Sequence, residues 1–410
     1  MLKSLLKRIP ASLLPILALV FVGGYWLGQW RAAPPSADSS VASYTTNNVR
    51  AQVTEIVQAG QVDLGGKLQN FQILAVEVLE GRYAGRSFEI DYGRRQIVAA
   101  GSYFSPGDQL LITVSEFPEM QAQAYYTDYV RSRPLAVLFL LFVITTLFIS
   151  GRKGARSLIS MAFSLTVIIA FILPRILAGE DPVWVSVLGA FGILAGSLYL
   201  VYGWTIKTHA AVIGTLIALL LTGLMADYFI QLTRMTGFSS EEAMFLSQQS
   251  QLVVDFRGLV LGGIIIGSLG VLDDLVITQA SVIFELYLLD PKQTWRALYR
   301  RGMRVGQDHV AATVNTLVLA YTGAALPLLL LVTGAGTDWF VFINREFVAE
   351  EILRTLVGSL GLMMAVPLTT LVACWAATSM SGWGRIRPLL GPALQADFDH
   401  EPHGHGHHHH

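Results

Sequence analysis

Hydrophobic and polar positions follow several rhythms along this chain of 410 residues. After a basic start at Lys3, Lys7 and Arg8, the run from Ala11 to Leu27 is almost wholly apolar. It is longer than the roughly 7 to 15 apolar residues of a secretory signal. No small-x-small cleavage site closes it before Trp30 and Arg31, so residues 1–31 are expected to form an uncleaved transmembrane anchor. Lysine and arginine stay on the cytoplasmic side of a membrane, which places the N-terminus inside. Residues 32–48, rich in Ala, Pro, Ser, Thr and Asn, read as a linker. From Val49 to Arg131 the period shortens to two, in Val49-Ala51-Val53, Leu74-Val76-Val78, Phe88-Ile90-Tyr92 and Leu110-Ile112-Val114. Turn signals at Gly65-Gly66, Gly81, Gly85 and Pro106-Gly107-Asp108 separate these runs. Residues 49–131 are therefore expected to fold as a small extracytoplasmic all-β domain, an OB-like barrel or a sandwich.

From residue 132 to about 380 the pattern is that of a polytopic α-helical membrane protein. Apolar runs occur at Pro134–Ile149, Leu158–Leu177, Val183–Trp204, Ala210–Ala226, Gly258–Leu289, His309–Val332 and Glu351–Ala377. With the anchor they give about eight spans and two cytoplasmic termini. The loops agree: Gly151–Arg156 is basic, Gly179-Glu180-Asp181 is acidic, and Lys292, Arg296, Arg300, Arg301 and Arg304 form the strongest basic cluster. Asp227–Gln251 is too polar to span and is expected to lie outside as an interfacial amphipathic helix. Gly258–Leu289 would measure about 48 Å as one straight helix at about 1.5 Å per residue, against a hydrocarbon core of about 30 Å. Either it breaks near Gly267–Asp274, or its second half emerges as a cytoplasmic amphipathic helix. Residues 381–410 are a cytoplasmic tail ending in a histidine-rich run, His400–His410. That run reads either as a purification tag or as a loose metal-capture tail.

Composition supports the membrane assignment: 53% of residues are hydrophobic and 14% charged, against about 25% charged in soluble domains. The mean hydropathy is +0.53. A net charge of −1 and the absence of a basic domain argue against a nucleic-acid partner. Cys374 is the one cysteine, which excludes an internal disulfide and a CxxC site. There is no HExxH, no GxSxG and no P-loop, so no enzymatic activity or organic cofactor is expected. Active transport would then draw on an ion gradient or a separate ATPase. The expected partners are the lipid bilayer and a small solute or ion.

The candidate site starts from two carboxylates, Asp273 and Asp274, in otherwise apolar sequence. An ionisable group at the centre of a span costs about 2.5 to 3.5 kcal/mol on insertion scales. Asp274, Thr278, Ser281 and Glu285 recur at helical spacing. Asp308, Asn315 and Thr322 fall seven apart in the next span. If these two stripes face each other, carboxylate, amide and hydroxyl oxygens line a hydrated interior suited to a hard cation or a proton relay. The ion-binding candidates are thus Asp273, Asp274, Thr278, Ser281, Asp308, Asn315 and Thr322. A plainer alternative makes one aspartate the cap of a helix starting after Gly270. Gly192/Gly196 and Gly263/Gly267 are spaced for close helix approach, within one subunit or in a homo-oligomer.

These residues also carry a likeness. The block GSLGVLDDLVITQAS (Gly267–Ser281), the block GQDHVAATVNTLVLAYTGAALPLL (Gly306–Leu329) and the β-rich segment behind an N-terminal anchor resemble the YibE/F family of bacterial multi-pass membrane proteins. The resemblance runs from about Val49 to Ala377 and implies residence in the bacterial plasma membrane, with transport suspected and no catalytic residues to carry over. The expected activity is secondary transport, ion- or proton-coupled. The alternatives are an ion channel lined by the same stripes and a receptor or scaffold acting through the β domain.

Overall fold

The computed structural model describes residues 46–98, 101, 103–115, 122–248, 254–336, 338–383 and 387–394. The expected anchor, most of the linker and the histidine-rich run lie outside the described residues. The described chain separates into two compact units, one ending at Ile149 and the other starting at Ser150.

In the first unit, β1 (Thr46–Leu64), β2 (Lys67–Val78), β3 (Ser87–Tyr92), β4 (Gln109–Ser115) and β5 (Gln123–Tyr129) form one antiparallel sheet in the order β3-β2-β1-β4-β5. The period-two pattern is realised directly. In β4, Leu110, Ile112 and Val114 are buried while their neighbours are only partly so. The long β1 pairs with both β2 and β4, and register shifts at Val53/Glu55 and Ile56/Gln58 bend it, as bulges do. The result is a half-barrel rather than a sandwich of two sheets. Its edge strands β3 and β5 are separated by a cleft of about 440 Å³ lined by Phe88, Glu89, Tyr125 and Tyr126 among others. Inside, the buried Gln72 amide brackets the backbone of Phe104, donating to its carbonyl at 3.1 Å and accepting from its N–H at 2.8 Å. Phe104 stacks on Tyr129 with ring centroids 4.2 Å apart and meets Tyr92 and Tyr126 edge-on.

Burial pushes the Tyr126 and Tyr129 phenols up to about 12, with Tyr92 adding to the effect. A free tyrosine titrates near 10. The folded state therefore favours the neutral phenols, and that stabilisation is complete below about pH 10 and is lost as pH rises toward about 12. Tyrosinate absorbance and circular dichroism of the full chain should show loss of sheet structure in this window. Tyr126→Phe should shift the loss to higher pH.

Helix α1 (Ser132–Val167) opens with a stretch whose apolar side chains, Leu135 to Ile149, are exposed all round. It is interrupted at Gly151, whose φ of 52° and ψ of −128° are non-helical. The break falls within the basic run that separates two expected spans. A π-helical turn at Ile168–Ile172 continues into α2 (Leu173–Leu177). Pro174, which has no backbone N–H to give, sits just beyond that turn.

The remaining elements of the second unit are α3 (Pro182–Tyr202), α4 (Ile206–Leu232), α5 (Glu241–Gln248), α6 (Phe256–Leu289), α7 (Trp295–Ala324), α8 (Leu326–Ala335), α9 (Trp339–Ile343) and α10 (Glu346–Ser379). Side-chain caps start several of them. Asp181 accepts from the N–H groups of Val183 and Trp184 ahead of α3, and Thr205 and Thr294 cap α4 and α7, each satisfying an orphan donor. Gly258 and Gly262 lie against Val183 and Ser186, so α3 and α6 run the same way. Gly358 beside Ser268, with Thr370 bonded to Gln279 further along both helices, makes α10 parallel to α6. Gly214 against Thr369 and Gly361 against Thr222 make α4 antiparallel to α10, and Gly302 against Ile283 with Gly306 against Gln279 make α7 antiparallel to α6, hence the same way as α4. Consecutive long helices thus alternate in direction.

Among the described residues, five helical runs are long and apolar enough to cross a membrane: Ser132–Leu177, Pro182–Tyr202, Ile206–Leu232, Phe256–Leu289 and Glu346–Ser379. This differs from the eight expected spans for identifiable reasons. The anchor is outside the described residues, and Pro134–Ile149 and Leu158–Leu177 share one helical run broken at Gly151. The expected span His309–Val332 is divided at Ala325, just before Pro327, into the more polar α7 and the ten-residue α8. Two further expectations are corrected. Asp227 does not begin a separate segment, because α4 carries on to Leu232, and the short helix in that region is α5. Gly267 and Gly270 do not break α6, which is helical from Phe256 to Leu289. An intact i→i−4 ladder plus packing on four neighbours, α3, α4, α7 and α10, outweighs a helix penalty of about 1 kcal/mol per glycine.

Candidate functional site

Asp273 stands near the middle of α6, roughly 26 Å from its start at about 1.5 Å per residue. Because the helix is continuous there, neither Asp273 nor Asp274 caps a helix, and the plainer alternative for the pair falls away. A single step of about 100° along α6 separates the two carboxylates into different surroundings. Asp274 is exposed, whereas Asp273 is partly buried against α3. Ser197, on the last turns of α3, places its Oγ 3.0 Å from Asp273 Oδ2. The other oxygen, Asp273 Oδ1, is buried and has no hydrogen-bond partner among the described residues. The Ser197 hydroxyl also lies 3.3 Å from the carbonyl of Leu194, so one hydrogen faces two acceptors. Tyr202 at the end of α3 is within electrostatic reach of both Asp273 and Asp274.

The other candidates are distributed differently from the expectation. Asp274 and Thr278 are exposed along α6, and Glu285 continues their stripe. Ser281 donates to the Ile277 carbonyl of its own helix at 2.8 Å. Asp308, Asn315 and Thr322 are exposed on α7. α7 lays Leu298, Gly302 and Gly306 against its neighbours, and its polar stripe occupies the opposite side of the helix. α6 likewise turns Leu272, Val276, Gln279 and Ile283 inward, with the Asp274 stripe on its far side. Among the described residues no hydrogen bond or ion pair joins the two stripes. The physical reason is the backbone approach at Gly302 and Gly306: the small residues, not the polar ones, take the helix contact.

What joins α6 to α7 is Gln279. Its buried Nε2 donates to the Gly302 carbonyl at 3.0 Å and to Thr370 Oγ1 of α10 at 2.7 Å. Thr370 in turn donates to Val366 of its own helix. Sequence reasoning passed over Gln279 although it lies inside the block DDLVITQAS; an amide within an apolar helix was the signal. Ser197 was missed too, and its only trace is the small run Ala195-Gly196-Ser197. The glycine pairs are partly corrected. Gly263, Gly267 and Gly192 have open space where a Cβ would stand, while Gly196 receives the Phe163 ring.

Beyond Ser197, the end of α3 meets the last described residues of the chain. Tyr199 hydrogen-bonds His209 Nδ1 at 2.7 Å, and His209 Nε2 donates to the Leu390 carbonyl at 3.1 Å in the neutral tautomer that this pairing implies. The Trp204 indole donates to Leu389 O at 2.9 Å, and the Ile206 N–H to Pro392 O at 3.0 Å. At the other end of the bundle, Glu346 accepts from the N–H groups of Thr236 and Gly237, and Arg354 pairs with Glu350 and Glu351.

Compared with known families, residues 138–379 match the YibE/F-like protein family. The chain belongs to that family. The matched range takes in more than half of the sequence and contains both polar blocks, Ser197, Gln279 and Thr370. The half-barrel and residues 387–394 lie outside it, so the family match is narrower than the resemblance expected from Val49 onward. No match was found to a curated protein or to a solved structure. Family membership and the apolar helices make this a membrane protein.

Proposed function

We propose that this YibE/F-like protein is a secondary transporter of the bacterial plasma membrane that couples movement of a small solute to an ion or proton. On this reading the chain has eight spans, counting the N-terminal anchor, both halves of the broken α1–α2 run, and α7 with α8. Both termini are cytoplasmic and the half-barrel is extracytoplasmic. The alternation of helix directions supports that threading, as does the basic cluster Lys292–Arg304 at the start of α7. One observation carries the functional reading: Asp273, a partly buried carboxylate in the middle of an apolar helix, with a hydroxyl at one oxygen and, among the described residues, no hydrogen-bond partner at the other, buried one. Ionisable groups inside a membrane segment are retained where they serve an ion or substrate pathway.

The exposed stripes of α6 and α7 favour a channel as second reading, since Asp274, Thr278, Asp308, Asn315 and Thr322 would line a pore when covered. One assay addresses both. The protein is reconstituted into liposomes holding a pH-sensitive dye and presented in turn with a panel of inorganic cations, anions and small acids. Solute-dependent ion movement at transporter rates, lost in Asp273→Asn, is the expected result. Conductance at channel rates would replace the transporter with the pore. No movement above that of empty liposomes across the panel would overturn both.

A further inference from the structure

We propose that the pair Asp273–Ser197 is a proton site, and that Asp273 is the residue that takes up and releases the coupling proton; this deepens the transporter reading and rests on it for the proton's role in coupling. The hydrogen-bond count at the site selects the ligand. With an ionised Asp273, the single Ser197 hydrogen must serve either Asp273 Oδ2 or the Leu194 carbonyl, and Oδ1 is left buried and unmatched. With a proton on Oδ2, the carboxyl donates to Ser197 Oγ and the Ser197 hydroxyl donates onward to Leu194 O. Every hydrogen then has an acceptor. The buried Oδ1 becomes a neutral carbonyl oxygen, which costs far less out of water than half of a carboxylate.

Among the described residues the surroundings supply no counter-cation for an ionised Asp273. No lysine, arginine or histidine pairs with Asp273 among the described residues. The titratable groups facing it are Asp274 of its own helix and Tyr202 of α3, and neither is a cation. A hard metal cation takes about six or more oxygens, whereas this pocket brings two side chains. No group of three His, Cys, Asp or Glu able to hold a metal occurs among the described residues. Loading the site forms one O–H bond on Asp273 and breaks one on a hydronium ion; release reverses this. No electrons move and no co-reactant is required. The exposed Asp274 next in the chain and Tyr202 beyond Ser197 mark the sides from which the proton can arrive.

Infrared difference spectroscopy of the full chain in lipid nanodiscs, titrated with acid and base alone, tests the assignment without a transported solute. The expected result is a protonated-carboxyl carbonyl band that titrates in the wild type, disappears in Asp273→Asn and persists in Asp274→Asn. In Ser197→Ala, which keeps the carboxyl and removes its acceptor, the band should move. Should Asp273→Asn fail to fold, the movement in Ser197→Ala carries the same information. A band absent at every pH, a band indifferent to both Asp273→Asn and Ser197→Ala, or a carboxylate signal shifted by sodium or potassium at fixed pH would overturn the proposal. Flux without the band removes the proton assignment alone, while the band without flux removes the transporter reading.

Discussion

Gly361→Val is expected to prevent the protein from accumulating as a monodisperse species in detergent. Gly361 lies where α10 crosses α4, and a Cβ there would overlap the hydroxyl of Thr222. Thr222 cannot turn aside cheaply, because it is fully buried and its Oγ1 donates to the Ala218 carbonyl at 2.8 Å. The added side chain must therefore push two helices apart along a contact that also includes Gly214 against Thr369. Overpacking a tight core costs about 1–3 kcal/mol, occasionally more. In a helix pair whose close approach rests on small residues, the upper end applies. Gly263→Val is the control. It stands on the same bundle but has open space where its Cβ would lie, so its melting midpoint should stay near that of the wild type. Equal losses for the two variants, measured by thermal unfolding and size-exclusion chromatography, would show that helix propensity and not close contact is being read.

The second large effect is expected at Gln279. Its Nε2 faces two oxygens, Gly302 O and Thr370 Oγ1, on two different helices. Gln279→Leu removes both bonds at nearly constant volume; a hydrogen bond is worth roughly 0.5–1.5 kcal/mol net, so the loss should be about 2 kcal/mol. Gln279→Glu should be worse, on the order of 3 kcal/mol or more, because it aims an oxygen at a backbone carbonyl in a buried position without a counter-charge. The ranking wild type, then Leu, then Glu in thermal unfolding is the check. A glutamate variant as stable as the wild type would mean that the three helices are not tied through this amide.

Much of the architecture was legible in the order of hydrophobic positions, because the physics behind it is local. Alternation in Leu110-Ile112-Val114 needs only the pleat of a strand, and the acidic Gly179-Glu180-Asp181 marked the loop ahead of α3. The basic run at Gly151–Arg156 marked a true interruption of the helix. What could not be read was rotational setting, which depends on neighbours. Gly263 and Gly267 have the spacing for close approach, yet they face open space, while Gly262, Gly302, Gly306 and Gly361 are among the glycines that meet other helices. Asp308, Asn315 and Thr322 were correctly placed on one face, but which way that face turns was decided by Gly302 and Gly306 on the other. The same holds for the acidic pair. Sequence treated Asp273 and Asp274 as equivalents, and the 100° step between adjacent helical residues sends one to Ser197 and the other to the surface.

The fastening of Leu389–Ala393 to the turn between α3 and α4 has a mechanical consequence. Trp204, Ile206 and His209 grip this short stretch through its carbonyl oxygens, a few residues along the chain from Ser197. Displacing residues 389–393 would take these acceptors from Trp204, Ile206 and His209, at the end of the helix that carries the hydroxyl partner of Asp273. A fusion that displaces this stretch therefore acts on that corner, whereas a label in the Gly65-Gly66 turn of the half-barrel, where an added Cβ meets nothing within 4 Å, leaves these bonds in place.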